Sequence, residues 1–252
     1  MFLRANARKG GLEDRGEHLQ ATYAAAFAGD GIVAVGAHCW NGVLLLQAPE
    51  QLREVARAAL GASGRALRGI SGPADQVRAA RDALGVRKPA VDDADALFSL
   101  DLGRLRVPVP LPGVSLRRPT AEDIPALVAW RVQYLVETGL AALGPRLQED
   151  AKSGIELLHA QGDHWLLEDT GKPVAYTAFN ARLPDIVQVG GVWTPPPLRG
   201  RGYARRAVAG SLLEARSGGA QRAILFTSNS QAARAYQALG FERTGEYGLL
   251  IV

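Results

Sequence analysis

Apolar residues recur along this chain at two spacings, and the places where one gives way to the other mark its elements. An alanine-rich stretch from Glu17 to Phe27 predicts a helix. β-branched and leucine residues between Gly31 and Gln47 flank an Asn41-Gly42 pair, a dipeptide suited to tight hairpin turns, and predict two strands. Pro49 then opens a helix over Glu50 to Leu60, where Leu52, Val55, Ala56, Ala59 and Leu60 share a face and Gly61 supplies the stop. A strand near Ala66 to Ile70 leads through a Ser71-Gly72-Pro73 turn into a helix over Ala74 to Leu84. An acidic loop and a strand over Ala96 to Leu102 follow.

Three prolines between Val107 and Gly113 interrupt ladder hydrogen bonding and predict a boundary there, dividing the chain into domains 1–110 and 111–252. The second domain reads as a strand at Ser115 to Arg117, a helix from Ala121 to about Thr138 and another from Arg146 to Gln161. Strands come next at His164 to Glu168, Lys172 to Asn180 and Ile186 to Thr194. A helix over Tyr203 to Arg216, a strand over Arg222 to Phe226, a helix over Ser230 to Leu239 and two closing strands within Phe241 to Val252 complete it. This alternation predicts an α/β class with a mixed sheet. The halves share an order of helix, hairpin, helix, strand, helix, strand, the pattern of a degenerate duplication.

Composition narrows the functions rather than choosing one. Of the 252 residues, 47% are hydrophobic and 21% charged, the balance of a soluble globular protein. The net charge of +4 divides equally between the halves and forms no basic tail, so a nucleic-acid partner is not expected. The apolar run from Gly31 to Ala48 nears membrane-span length, but His38, Asn41 and Gly42 interrupt it, and no membrane partner is expected. A single cysteine, Cys39, excludes an internal disulfide and a multi-thiolate metal site; with no signal-peptide pattern at the N-terminus, a cytoplasmic location is expected and no metal.

Chemistry concentrates in Val192-Trp193-Thr194-Pro195-Pro196-Pro197-Leu198-Arg199-Gly200-Arg201-Gly202-Tyr203-Ala204, a strand that passes through prolines into a glycine-rich turn and then a helix. Such a turn directs backbone N–H groups outward, with the positive end of the helix dipole behind them, which suits a pyrophosphate. The Gly-x4-Gly-Lys-Ser/Thr of a P-loop is absent. A dinucleotide fingerprint fails as well, because Arg205 stands where its last glycine or alanine belongs. What remains, Arg199-x-x-Gly202-x-Ala204, resembles the coenzyme A motif of GNAT acyltransferases. Asn229-x-x-Ala232-x-x-x-Tyr236-x-x-x-Gly240-Phe241 follows, and resembles the terminal motif of the same superfamily. The resemblance covers the chain from about Val114. More narrowly it extends to predicted bacterial GNAT proteins akin to the glycine N-acyltransferase branch, which carry a GNAT-like N-terminal domain without the cofactor motif.

The resemblance implies a splayed mixed sheet in the C-terminal domain, a smaller degenerate N-terminal copy, and acetyl-CoA as co-substrate. It implies that Val192, Trp193 and Thr194 bind pantetheine, that Arg199, Gly200, Arg201, Gly202, Tyr203 and Ala204 cradle the pyrophosphate, and that Asn229 and Ala232 complete the cofactor site. Tyr236 is then the general acid toward the departing thiolate. Gly190-Gly191 predicts a β-bulge that turns an amide toward the thioester oxygen. Glu137, at the end of a long helix, leads the candidates for general base, ahead of His164 and Glu168; Asn180 and Gln188 are candidate substrate contacts. The activity implied is acetyl transfer to a primary amine, either of a small molecule or of a protein. A non-catalytic CoA-binding sensor or scaffold, and an acyltransferase for longer acyl groups, are the alternatives.

Overall fold

A computed structural model describes residues 1–140 and 146–252. The chain forms two compact units, one of Met1–Leu97 with Gly245–Val252 and the other of Phe98–Thr244.

In the first unit, helix α1 (Phe2–Gly10) is followed by strands β1 (Ala21–Ala28), β2 (Gly31–Cys39) and β3 (Val43–Gln47), then helix α2 (Leu52–Ser63), strand β4 (Gly69–Pro73) and helix α3 (Ala74–Leu84). β1, β2 and β3 run antiparallel in succession, and β3 and β4 are parallel across the α2 crossover. The far end of the chain, strand β11 (Glu242–Ile251), closes this sheet by pairing antiparallel with β4 from Tyr247–Pro73 to Ile251–Gly69. The expected Asn-Gly hairpin is present: Gly42 has φ 79° and Asn41 Oδ1 accepts from the Val43 amide. Leu44, Leu46 and Ile70 from the sheet meet Ala56, Ala59, Val77 and Ala80 from α2 and α3 in the core.

Three expectations fail in this unit. The alanine-rich segment expected to be helical is β1, while α1 was not foreseen. Pairing with β2 along its whole length outweighs the helix preference of alanine, and Ala26 and Ala34 let Val55 of α2 pack closely on the sheet. Ser71-Gly72-Pro73 is strand rather than turn. Gly72 is needed because a Cβ there would stand 2.7 Å from the Leu46 carbonyl oxygen. The acidic residues Asp92 and Asp93 lie in strand β5 (Val91–Asp101), not in a loop.

The second unit holds β6 (Val114–Arg117), α4 (Ile124–Glu137), α5 (Leu147–Gln161), β7 (His164–Asp169), β8 (Lys172–Arg182), β9 (Ile186–Trp193), α6 (Tyr203–Ser217), β10 (Arg222–Thr227) and α7 (Ser230–Ala238). Strands β6 to β9 are antiparallel neighbours, and β10 runs parallel to β9. The sheet is therefore mixed, as expected. The closing segment is one strand, β11, where two were expected. On one face Leu127, Val128 and Leu135 of α4 and Ala151 and Ile155 of α5 pack on Leu166, Tyr176, Ala178 and Trp193. On the other, Tyr203 and Ala207 of α6 cover Leu167, Val174 and Ala175. Each fully buried leucine here, such as Leu127 or Leu166, contributes about 2 kcal/mol by leaving water. A Thr120–Asp123 capping box starts the helical run toward α4, and Arg117 binds both Asp123 and Glu168. The Arg117 hydrogen bond chiefly, with those from the Thr120 amide and hydroxyl, holds the Asp123 carboxyl down at about 2 against the opposing effect of burial.

Candidate active site

Parallel strands β9 and β10 pair at only three positions, from Ile186–Arg222 to Gln188–Ile224, although both continue further. Beyond Gln188 they separate, and the separation starts upstream of Pro195. The β9 bulge lies in the separated stretch. β9 advances three residues, from Gly190 to Trp193, while its partner β8 advances two, from Ala178 to Tyr176. Gly191, inside the bulge, has φ +61°, a conformation that glycine adopts without a steric penalty. Past Gln188 the β9 end has no ladder partner in β10, and Trp193 Nε1 and Thr194 Oγ1 are buried without a hydrogen-bond partner.

The turn that follows has the geometry of an anion cradle. After a single 3-10 turn at Pro196–Leu198, Gly200 and Gly202 take φ +78° and +76°, and α6 begins at Tyr203. The Leu198 and Arg199 amides bond back to Pro195 and Pro196, and the Arg206 amide bonds to Gly202, but among the described residues the amides of 200–205 meet no acceptor. A Cβ on Gly202 would stand 2.8 Å from Arg206 Nη1. The Nε atoms of Arg205 and Arg206 are buried and unpartnered. Unclaimed amides at a helix N-terminus, flanked by arginines, fit a pyrophosphate.

The individual candidates divide their work between backbone and side chain. Tyr203 turns its ring into the core and donates its hydroxyl proton to Asp169, so only its amide faces the cradle. Arg199 folds back: its Nε donates to the Thr194 carbonyl at 3.0 Å, its guanidinium stacks 4.8 Å from the Trp193 ring centroid, and its Nη2 meets Glu137 at 2.8 Å. Arg199 therefore braces the end of β9, and Glu137 is the half-exposed anchor of that brace. Arg201 is exposed and bonds the Tyr203 hydroxyl. Asn229 caps α7, its Oδ1 accepting from the Gln231 and Ala232 amides at 2.9 and 3.0 Å.

Tyr236 of α7 is buried, its ring against Phe241. Burial, with the Tyr134 phenol nearby as a second cause, pushes its phenol above the ordinary tyrosine range, so it holds its proton at neutral pH. Tyr134 in turn meets Trp193 edge to face, which links α7 to the end of β9. A small recess of about 10 Å³ lies beside the bulge, lined by Trp130, Arg131, Tyr134, Tyr176, Gly191 and Trp193.

The remaining candidates lie around this centre. Glu168 is bound by Arg117. The Asn180 amide covers Gly190, where a Cβ would collide with it. Gln188 is buried, its Nε2 donating to the Val189 carbonyl and its Oε1 unpartnered. His164 is buried; burial chiefly, then His159 and Arg118, push its imidazole down to about 4. Tyr176, the hydrogen-bond partner of His164, is a site residue that sequence reasoning missed, because nothing in a strand pattern separates it from core aromatics. Among the described residues no group of three or more His, Cys, Asp or Glu side chains gathers as for a metal, and no helix is long and apolar enough to cross a membrane.

Residues 125–241 match the acetyltransferase (GNAT) family, just under half of the chain and most of the second unit. No curated protein matches the chain. Among solved structures, the chain is similar to a GCN5-related N-acetyltransferase from Kribbella flavida, at 22% identity and TM-score 0.61, with 87% of this chain and 86% of that one covered. It is also similar to a tandem GNAT protein from the clavulanic acid biosynthesis pathway, solved without AcCoA, at 14% identity and TM-score 0.60, with 100% and 87% covered. A Drosophila protein aligns at 13% identity and TM-score 0.66, with 100% and 89% covered. At these identities the likeness shows the fold, an α/β GNAT-like fold with tandem relatives.

Proposed function

We propose that this chain, an acetyltransferase of the GNAT superfamily by its family match and its fold, moves the acetyl group of acetyl-CoA to a primary amine. The observation that carries the reading is the run of unclaimed amides at 200–205, placed directly after a strand that has parted from its parallel neighbour. Acetyl-CoA, when bound, supplies an acyl carbon activated as a thioester. The amides of Gly200 to Arg205 hold the pyrophosphate, with Arg205 and Arg206 supplying charge, and the backbone of Val192 to Thr194, unpaired toward β10, holds pantetheine with the Thr194 hydroxyl. The bulge at Gly191 orients an amide toward developing negative charge on the carbonyl oxygen. Tyr236, protonated and buried, donates to the sulfur as the carbon–sulfur bond breaks.

Glu137 enters this scheme through Arg199: it steadies the guanidinium that holds the Thr194 carbonyl, and so the mouth of the cleft. The recess beside Gly191 takes the amine. Aromatic side chains wall it, and the acceptor is a primary amine of a small molecule or of a protein. Continuous release of free thiol from acetyl-CoA over a panel of primary amines, with mass spectrometry of the products, tests the reading. Acetylated amine in amounts equal to thiol is expected. Tight CoA binding with no thiol release from any amine overturns it in favour of a CoA-binding scaffold.

A further inference from the structure

Three side chains of the second unit form a connected line that the scheme above does not use. The Tyr176 hydroxyl lies 3.2 Å from His164 Nδ1, and His164 Nε2 lies 3.2 Å from His159 Nδ1. Tyr176 lines the recess beside the bulge, with its Cε1 3.6 Å from the point where a Cβ of Gly191 would stand. Tyr176 and His164 are buried, whereas His159, on α5, is half-buried and reaches the surface. The line therefore runs from a residue of the recess wall to the protein surface.

Its polarity follows from which atoms can donate. With His164 as the Nε2–H tautomer, the Tyr176 phenol donates to His164 Nδ1 and the Nε2 hydrogen points at His159 Nδ1. Every bond then runs donor to acceptor from the recess outward. We propose that Tyr176, His164 and His159 form a proton relay that carries the first amine proton from the acceptor to solvent. The proposal rests on the acetyltransferase reading and deepens it by naming a route for the amine proton other than Glu137, which pairs with Arg199.

The step balances without a further reagent. The acceptor ammonium gives a proton to the Tyr176 oxygen as the Tyr176 proton passes to His164 Nδ1. The His164 Nε2 proton passes to His159 Nδ1, and His159 releases its Nε2 proton to water. The neutral nitrogen then bonds to the acyl carbon, the carbon–sulfur bond breaks with its electron pair on sulfur, and Tyr236 protonates the sulfur. The second nitrogen proton restores Tyr236. After the product leaves, a proton taken up at His159 Nε2 passes back along the line and leaves through the vacated recess, which restores both imidazole tautomers.

Two features suit the middle of the line to conduct rather than store charge. Burial raises the Tyr176 phenol above its ordinary range, so no phenolate accumulates, and it keeps His164 neutral across the physiological range. The charged and titratable groups that face the line are Arg118, which precedes α4, Asp123 at the start of α4, Arg131 within α4 beside Tyr176, and His159 on α5. Arg118 and the neighbouring His159 oppose a lasting imidazolium at His164, Asp123 favours one, and Arg131 acts on the Tyr176 phenol.

Tyr176→Phe removes one oxygen and keeps the packing, and His159→Gln changes a half-buried position, so both variants are expected to fold. kcat/KM is measured between pH 6.5 and 9.5 with an amine whose ammonium ionises near the top of that range. Each variant is expected to lose about a hundredfold at pH 7. The loss shrinks toward unity at pH 9.5, where the amine arrives already neutral, and the double variant is no worse than either single one. A loss that is the same at every pH, or a drop in Tm without a change in rate, overturns the relay. Nitrogen-15 NMR of the imidazoles provides a readout independent of turnover. Neutral His164 as the Nε2–H tautomer at pH 6 supports the relay, and the Nδ1–H tautomer overturns it. A wild-type enzyme that acetylates no amine overturns the acetyltransferase reading and the relay together, an outcome distinct from active enzyme with unchanged variants.

Discussion

At the scale of single residues, the phenols of Tyr176 and Tyr236 are both buried and both shifted upward, yet they touch different neighbours. Tyr176 has an imidazole to donate to, whereas Tyr236 packs on Phe241 next to Tyr134, where a thiolate would be the strongest available acceptor. Tyr236→Phe keeps ring, helix and packing. If the acid role is right, kcat falls by about a hundredfold in steady-state assays while acetyl-CoA affinity and Tm hardly move. A structural hydroxyl gives the opposite pattern, about 1 kcal/mol of stability lost and turnover kept. Tyr236 was legible in the sequence because a motif singled it out. His164 was legible only as an isolated polar residue at a strand end, since its partners His159 and Tyr176 lie five and twelve positions away and meet it only when α5 lies over β7 and β8. The pairing of Glu137 with Arg199, 62 positions apart, was beyond sequence reasoning for the same reason.

At the scale of elements, the second unit was legible nearly throughout, because its helices and strands are long, differ in period and are punctuated by Gly and Pro. The first unit was harder to read. An alanine-rich strand carries no alternation, and whether Ser71-Gly72-Pro73 turns or extends depends on β11, a strand far along the chain. The same comparison separates the two helix starts that follow a strand. At α6 the preceding strand has lost its parallel neighbour and the amides of 200–205 meet no acceptor among the described residues, whereas at α3 strand β4 stays paired through Pro73, which has no amide to offer. Isothermal titration of the intact chain with acetyl-CoA is accordingly expected to give one site per chain. Gly202→Glu, which sets a carboxylate into the cradle beside Arg206, is expected to give none. A second site that survives in Gly202→Glu would place a cofactor in the first unit and refute the assignment.

At the scale of the whole molecule, the prolines at 107–113 mark a break in regular structure, while the compact units divide at Leu97–Phe98 and again at Thr244–Gly245, within β5 and β11. A discontinuous unit leaves no composition signal, because its two pieces are separated by an entire domain. Removing residues 246–252 takes away the partner of β4 and uncovers the Leu250 side of the core. Hydrogen exchange of the shortened chain is expected to show faster exchange at β3 and β4, with protection of β7 to β9 retained; uniform loss across both units would mean that they fold as one. The same pairing orders events on the ribosome. β4 leaves the exit tunnel with one edge bare and waits for about 170 more residues before the strand that covers it is made, so the second unit can fold first. During that interval, at rates of about 5–20 residues per second, the nascent first unit presents an open strand edge for roughly 10–30 s, and that exposed edge is where a chaperone, or a neighbouring chain on the same polysome, would engage it.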